Sequence, residues 1–548
     1  MLAGLMQDRP LLLPTVLEHA AMWHGDVEIV SREADGGIHR ATYAETARRA
    51  RRLASGLARL GIRPGDRLGA LAWNRYRYVE LFYGVGGLGA VLHTANPRLF
   101  AEQIAYTINH AGDRLLFVDP ECLEIVDAIQ DKLTEIEHYV LLTDRAGLPA
   151  TRLPSVLCYE DLLADGDAGY AWPALDERSA ASMCYTSGTT GQPKGVLYSH
   201  RASILQAMAV CSGDGFGISG RDTVLPLAPL FHCNGWSAPF TTPMTGARLV
   251  LPGRAVDAAS LHSLIESEQV TLSFAVPTVW LDLLAHLDRS GGRLDSLKRI
   301  GCGGSAPPRS LIERLAREHD VELVHAWGMT ETTAACTFGR PDADETEDAA
   351  IAARISQGRA VFGCEFRVTD DDGRSLPHDG RSVGHIGVRG PWITAGYYGN
   401  DGDAAVDAEG YLATGDVGAI DARGRMRITD RAKDVIKSGG EWISTIELEN
   451  LAVGVPGVAE AAVIGVPHPK WQERPLLLLV PDAGAAVDIA MVRRHLADRV
   501  AKWWLPDEIL VVDDLPHTAT GKILKTALRE RFKNRFDAAA KGVTEGRG

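Results

Sequence analysis

Residues Tyr185-Thr186-Ser187-Gly188-Thr189-Thr190-Gly191-Gln192-Pro193-Lys194-Gly195 crowd hydroxyls, glycines and one lysine into a single short loop. Such a loop suits a chain of phosphates. Glycine lets the backbone come close and reach positive φ, hydroxyls and N–H groups donate to phosphate oxygens, and lysine supplies charge. It is not a Walker loop, because counting from Gly188 the required second glycine falls on Pro193. Taken alone, the segment also reads as a plain Gly/Ser turn. The rest of the chain decides between them.

The chain has 548 residues, too many for one core, and divides into two or more domains. With 45% hydrophobic and 23% charged residues it has the composition of a globular protein. A net charge of −14 argues against a general nucleic-acid or anionic-membrane surface. A polyanionic ligand must therefore be held by individual lysines and arginines. Eight cysteines stand singly, with no C-x-x-C pair, so neither a zinc site nor a disulfide framework is indicated and a reducing cytoplasm is expected. Asp8 and Arg9 precede a short apolar run that does not make a signal peptide. The apolar stretch Leu81 to Leu92, interrupted by glycines, is too short to span a bilayer.

Residues 42–60 place apolar side chains at helical spacing with arginines opposite, and Thr42 and Glu45 fit a capping box. Asp66 to Ala72, Val270 to Val276 and Lys298 to Cys302 read as buried strands, and helical and strand-like segments alternate to about residue 330, as in layered α/β architecture. After residue 360, glycine, aspartate and β-branched residues become dense, which predicts β-hairpins. From Glu447 a helix, two strands and further helices predict a compact terminal unit. The boundary falls near Asp430–Lys433. Gly84-Val-Gly-Gly-Leu-Gly89 satisfies the dinucleotide fingerprint, but a helical pattern precedes it and no acidic residue follows at the required distance. Its glycines are better explained by close helix packing.

Further motifs follow the loop in order. In His325-Ala-Trp-Gly-Met-Thr-Glu-Thr332 an apolar strand runs into a Gly turn that presents a hydroxyl and a carboxylate, hard oxygen ligands that suit a Mg²⁺ bridging phosphates. A segment of that kind alone is also an ordinary helix start. Gly410-Tyr-Leu-Ala-Thr-Gly-Asp-Val-Gly418 carries Asp416 in what is also turn chemistry. Asp430-Arg-Ala-Lys-Asp-Val-Ile-Lys-Ser-Gly-Gly-Glu441 follows, and Pro516-His-Thr-Ala-Thr-Gly-Lys-Ile-Leu524 closes the series; alone, its Thr-Gly-Lys is a surface loop.

In order and spacing this set resembles the adenylate-forming superfamily, in its acyl-CoA synthetase branch, from about residue 15 to 530. The resemblance implies an α/β fold: a large N-terminal domain of layered sheets and helices (1–430) and a small, mobile α+β C-terminal domain (434–548), hinged at Lys433. It implies two half-reactions. ATP and a carboxylate give an acyl-adenylate and pyrophosphate, and the thiol of CoA then displaces AMP. By correspondence, Thr186, Ser187, Gly188, Thr189, Thr190, Gly191 and Lys194 hold phosphates. Gly303, Gly304 and Ser305 lie along the adenine, and His325, Ala326, Trp327, Gly328 and Met329 belong to the ATP/AMP-binding set. Thr330 contacts the α-phosphate, Glu331 and Thr186 ligate Mg²⁺, and Asp416 and Arg431 take the ribose. One carboxylate accepting two hydroxyls recognises a ribose compactly. Lys522 reaches in from the terminal domain, where a cation offsets the repulsion between a carboxylate and the α-phosphate. Lys437, Ser438, Gly439, Gly440, Glu441 and Trp442 are implied beside CoA, glycine leaving room for its narrow arm.

For the acyl group the resemblance points to His232, Trp236, Val276 and Thr278, with Trp236 matching a gate tryptophan in Pro229-Leu-Phe-His-Cys-Asn-Gly-Trp236. An aromatic pair is also plain core material. Two departures stand out. Thr332-Thr-Ala-Ala335 replaces the hydrophobic residue and Ser-Pro of many relatives that use medium-chain acids, and His385 stands where a glutamate is usual. The implied partners are a small carboxylate, preferentially a medium- to long-chain fatty acid, with ATP and CoA; a homodimer is compatible, nucleic acid and an integral membrane segment are not expected. The competing readings are an aryl or other specialised CoA ligase, a loader of a carrier protein acting in trans, and an inactive binding paralogue. Against the last, Lys194, Thr330, Glu331, Asp416, Arg431 and Lys522 are all present.

Overall fold

Apolar spacing turns Ala47, Ala50, Leu53, Ala54 and Leu57 to one side of the helix Tyr43–Arg59, and the Thr42 hydroxyl caps it by accepting from the Glu45 N–H at 3.2 Å. The helix Tyr76–Leu88 lies against it, buried along nearly its whole length. This second helix contains most of the false dinucleotide fingerprint. A Cβ on Gly84 would stand 2.6 Å from Leu53 Cδ2, so glycine there is what lets the two helices touch. The computed structural model describes residues 2, 4–186, 192–399, 405–438, 441–482, 484–517 and 523–536, with Glu441 and Trp442 by backbone only.

Two large sheets sandwich those helices. The first orders its strands Val156–Cys158, His138–Leu141, Asp113–Val118, Arg67–Leu71, Val91–Ala95, Ala180–Tyr185 and Gly195–Ser199, all parallel except the last pair. The second has a parallel centre, running Glu322–Met329, Arg299–Gly303, Leu272–Ala275, Thr223–Pro226, Arg248–Leu251 and Glu28–Arg32, with antiparallel edges. One core joins Leu68, Leu92 and Phe117 of the first sheet to Leu249, Leu272 and Phe274 of the second through Leu53, Tyr78 and Phe82. Helices cover both outer faces: Ile104, Ile108 and Val126 pack on the first sheet, and Leu264, Leu283 and Leu311 on the second. The strands expected at 66–72, 270–276 and 298–302 form as Arg67–Leu71, Leu272–Ala275 and Arg299–Gly303.

The Gly/Asp-rich region forms a four-stranded antiparallel sheet, Glu365–Thr369, Gly384–Arg389, Leu412–Ile420 and Met426–Arg431. The terminal unit is α+β. The strands Ile436–Ser438, Glu441–Ile443, Val458–His468, Gln472–Pro481 and Glu508–Val511 form one sheet, with the helices Thr445–Val453 and Ile489–Ala497 packed against it. Between Arg431 and Ile436 the chain leaves one sheet and enters another, with Lys433 in the turn. Polar contacts bracket that turn: the Asp430 carboxylate accepts from the Thr445 N–H at 2.7 Å and from its hydroxyl at 2.6 Å, and Arg529 pairs with Asp434 at 2.6 Å.

One local expectation fails. The strand that begins at Glu322 does not end in a Gly turn; it continues through Gly328 to Met329. Pairing with the antiparallel strand Ala334–Gly339 carries it past the glycine by a register shift between Trp327 and Gly328. The chain reverses one step later, in the 3₁₀ turn Thr330–Thr332 and the left-handed Thr333.

Candidate active site

The strand Ala180–Tyr185 delivers the phosphate-type loop, and Gly195 begins the return strand. The loop is closed at its base. Thr186 N–H donates to the Lys194 carbonyl at 3.0 Å, and Lys194 N–H donates to Thr186 Oγ1 at 3.1 Å. Ser187, Gly188, Thr189, Thr190 and Gly191 lie outside the described residues. Lys194 is exposed, and its ammonium sits 4.6 Å from the centroid of the Tyr397 ring.

Tyr397 leads directly to the second motif, because its hydroxyl donates to Glu331 Oε1 at 2.9 Å. Glu331 and Thr330 are both buried. The Thr330 carbonyl accepts from the Tyr198 hydroxyl at 2.6 Å, and Thr330 Oγ1 lies 3.7 Å from Cys233 Sγ. Thr332 secures the turn, accepting from the Met329 N–H at 2.9 Å and donating to the Ala334 carbonyl at 2.6 Å.

His325, four strand positions before Met329, is structural. Its Nδ1 faces the carbonyls of Ser356 at 2.9 Å and Ile355 at 3.0 Å, so Nδ1 carries the proton and donates. Burial pushes its pKa down to about 4, which keeps it neutral. Trp327 carries the strand's chemistry onward. Its Nε1 donates to Asp416 Oδ2 at 2.9 Å, and Arg431 Nε meets Asp416 Oδ1 at 2.9 Å. Asp416 and Arg431 are direct partners across neighbouring strands. These bonds orient the Asp416 carboxylate.

Gly303 ends its strand beside Ala326, and the exposed Gly304 and Ser305 follow. A Cβ on Gly303 would stand 2.7 Å from the Ala326 carbonyl and 2.9 Å from Trp236 Cη2, so the Trp236 indole lies on this glycine. Trp236 also packs on Phe274, ring centroids 6.3 Å apart. His232 lines a cleft with Tyr185, Thr186, His93 and Asn96. Val276 caps the helix Pro277–Ser290, whose first turn exposes Thr278.

The terminal-unit residues are only partly described. Lys437 and Ser438 lie on the strand Ile436–Ser438, and the Ser438 hydroxyl accepts from Arg474 at 3.2 Å. Glu441 and Trp442 lie on the paired strand, while Gly439, Gly440 and Lys522 fall outside the described residues. His385, the residue without an expected role, is half-buried and pairs with Asp371 at 2.8 Å on the β-hairpin surface.

The described part of the site holds two contact series, Lys194–Tyr397–Glu331 and Trp327–Asp416–Arg431, joined through the chain segment from Trp327 to Glu331 that includes Thr330. Sequence reasoning missed the three aromatic or polar residues that join its parts, Tyr198, Cys233 and Tyr397. Gly396-Tyr-Tyr-Gly399 is visible as a motif, but no spacing rule links it to Lys194 or Glu331. His93 and Asp113 were missed as well; they meet at 2.6 Å with both side chains fully buried beneath Tyr185.

Comparison with known proteins agrees along the whole chain. Residues 17–398 match the family model of AMP-binding enzymes, and residues 447–522 that of the AMP-binding enzyme C-terminal domain. The 3-methylmercaptopropionyl-CoA ligase of Ruegeria lacuscaerulensis is 47% identical over 534 residues, covering 97% of this chain and 99% of that one. The medium-chain-fatty-acid–CoA ligase of Ectopseudomonas oleovorans is 44% identical over 545 residues, covering 99% and 100%. Among solved structures, the anthranilate CoA ligase AuaEII in complex with anthranoyl-AMP superposes with a TM-score of 0.86 at 27% identity, covering 97% of this chain and all of that one.

Proposed function

This chain belongs to the family of AMP-binding enzymes, and from that premise we propose that it joins a carboxylic acid, a medium- to long-chain fatty acid, to coenzyme A. In the first step the acid's carboxylate attacks the α-phosphate of ATP, giving an acyl-adenylate and pyrophosphate. In the second, the thiol of CoA attacks the acyl carbonyl and AMP leaves. The observation that supports this reading is that the chain segment from Trp327 to Glu331 joins two contact series, Lys194–Tyr397–Glu331 and Trp327–Asp416–Arg431.

Each group has a task suited to its surroundings. Lys194 makes no ion pair among the described residues, so its charge is available to a phosphate. Asp416, held by Trp327 and Arg431, accepts from ribose hydroxyls. Gly303 and Trp327 flank the adenine. Lys522 supplies the charge that draws carboxylate and α-phosphate together.

Mg²⁺ fits the residues present. Among the described residues no cluster of three His, Cys, Asp or Glu could cage a metal. A buried carboxylate at Glu331 and the hydroxyl of Thr186 are hard oxygen donors of the kind that bind Mg²⁺ together with phosphates and water. When bound there it would neutralise phosphate charge. We place the domain division at Lys433, with 1–430 as the nucleotide domain and 434–548 as a mobile lid that presents Lys522 for the first step. The same lid would present Gly439 and Gly440, with Lys437, Ser438, Glu441 and Trp442 nearby, to CoA for the second.

Among the described residues no helix is long and apolar enough to cross a membrane. All eight cysteines are free thiols, which fits a reducing cytoplasm. A buried CH₂ is worth about 0.8 kcal/mol, roughly fourfold in binding, so neighbouring acid lengths differ only modestly in affinity. A panel of linear C2 to C18 acids, 3-methylmercaptopropionate and aryl acids, each with ATP and CoA, tests the reading by AMP release. A peak among C8 to C16 linear acids is expected. AMP release with carrier protein and not with CoA, or with aryl acids alone, would overturn it.

A further inference from the structure

We propose that Tyr397 is a positioning residue that couples the two halves of the phosphate grip, Lys194 on one side and Glu331 on the other. The proposal rests on the nucleotide-binding reading above and goes beyond it by assigning a residue to the link. One side chain serves both halves. Its hydroxyl donates to Glu331 Oε1 at 2.9 Å, and its ring face lies 4.6 Å from the Lys194 ammonium. Carboxylates only accept, so the phenol is the donor, and burial beside Glu331 pushes its pKa up and keeps it protonated.

The backbone around Tyr397 is strapped to the same two motifs. Thr394 N–H donates to the Glu331 carbonyl at 2.8 Å, and Tyr398 N–H donates to the Gly195 carbonyl at 2.9 Å. The ring packs against Cys184, Val196 and Tyr198, which fixes where both of its ends point. A hydrogen bond to one oxygen of Glu331 orients the carboxylate and leaves its other oxygen for a cation. This is how an outer partner tunes a metal ligand. The ring holds Lys194, which makes no ion pair among the described residues, by cation–π attraction. Glu331 and Lys194 are therefore aligned by one rigid group.

The hydroxyl and the ring separate by mutation. Tyr397→Phe keeps the ring and loses the bond to Glu331; Tyr397→Leu loses both. The full chain is titrated with ATP in EDTA by calorimetry. Mn²⁺ binding to the chain–ATP complex is read by electron paramagnetic resonance, and neither measurement needs turnover. Tyr397→Phe should bind ATP in EDTA like the unaltered chain but lose about 10- to 100-fold in Mn²⁺ affinity. That loss should vanish when the pair is compared in a Glu331→Gln background. Tyr397→Leu should also lose roughly two- to fivefold in ATP affinity without metal. Unchanged Mn²⁺ affinity in Tyr397→Phe, or identical behaviour of the Phe and Leu variants, would overturn the assignment while leaving the function reading intact. Failure of the unaltered chain to bind ATP would overturn both.

Discussion

At the scale of single residues, burial decides what a titratable group can do. His325 sits inside the nucleotide motif, yet its ring is committed to two backbone carbonyls and its pKa is pushed down to about 4. It therefore shapes the site as a neutral donor and carries no charge to a phosphate. The consequence for stability has a definite sign. Between pH 6.5 and 4 the unfolded chain binds a proton at this position and the folded chain does not, so stability falls as pH drops through that window. The slope flattens below it, and the total is about 3 kcal/mol at most. His325→Asn keeps an N–H near Nδ1 and cannot titrate. Its urea midpoint should fall less steeply than that of the unaltered chain from pH 6.5 to 4, and parallel slopes would refute this account.

At the scale of elements, the turn that carries Trp236 is the outlier of the molecule. Cys233, Asn234, Gly235, Trp236 and Ser237 all have positive φ, from +39° to +66°. Left-handed backbone costs on the order of 1–2 kcal/mol for each residue with a side chain, so this turn persists only because its surroundings enforce it. Asn234 donates to the Ser182 hydroxyl at 3.0 Å, the Gly235 N–H reaches the carbonyls of Pro229 and His232, and the Trp236 indole rests on Gly303. The arrangement places Trp236 directly against the end of the strand Arg299–Gly303. Gly235→Ala would add a Cβ 2.5 Å from Leu230 Cδ2 at φ +57°. It should cost about 1–3 kcal/mol in urea denaturation and raise the KM for the acid more than the KM for ATP. An equal rise in both would separate Trp236 from the acyl side. None of this was legible in Pro229–Trp236. The motif announced aromatic and small residues, but handedness comes from packing against residues distant in sequence.

At the scale of the whole molecule, two large sheets flanked by helices carry Thr186, Gly303 and Glu331 at strand ends and turns, a four-stranded sheet carries Asp416, and an α+β unit follows. Strand and helix periods made most of this layering readable. The proposed lid would have one unit serve two steps. Lys522→Ala should lose about 10²- to 10³-fold in adenylation, followed by pyrophosphate exchange, while thioester formation from supplied acyl-adenylate is largely spared. Gly440→Leu should reverse the pattern, accumulating acyl-adenylate without acyl-CoA. Equal losses in both steps, for either variant, would contradict a lid with two working positions.

The sequence by itself determined the α/β layering, the terminal unit and the polar residues of the nucleotide motifs, because apolar period and motif spacing are local properties of the chain. Only the tertiary structure decided which side chains hold those residues in place. Tyr397 lies 66 residues from Glu331 in sequence and bridges it to Lys194 in space, and Trp236 reaches Gly303 through a left-handed turn. Such contacts depend on where the two sheets and their connecting segments come together, which no local pattern encodes. The opening loop, from its glycines and hydroxyls, reads as a phosphate cradle or a plain turn. That its lysine rests on the tyrosine that also orients Glu331 is a fact of the folded molecule alone.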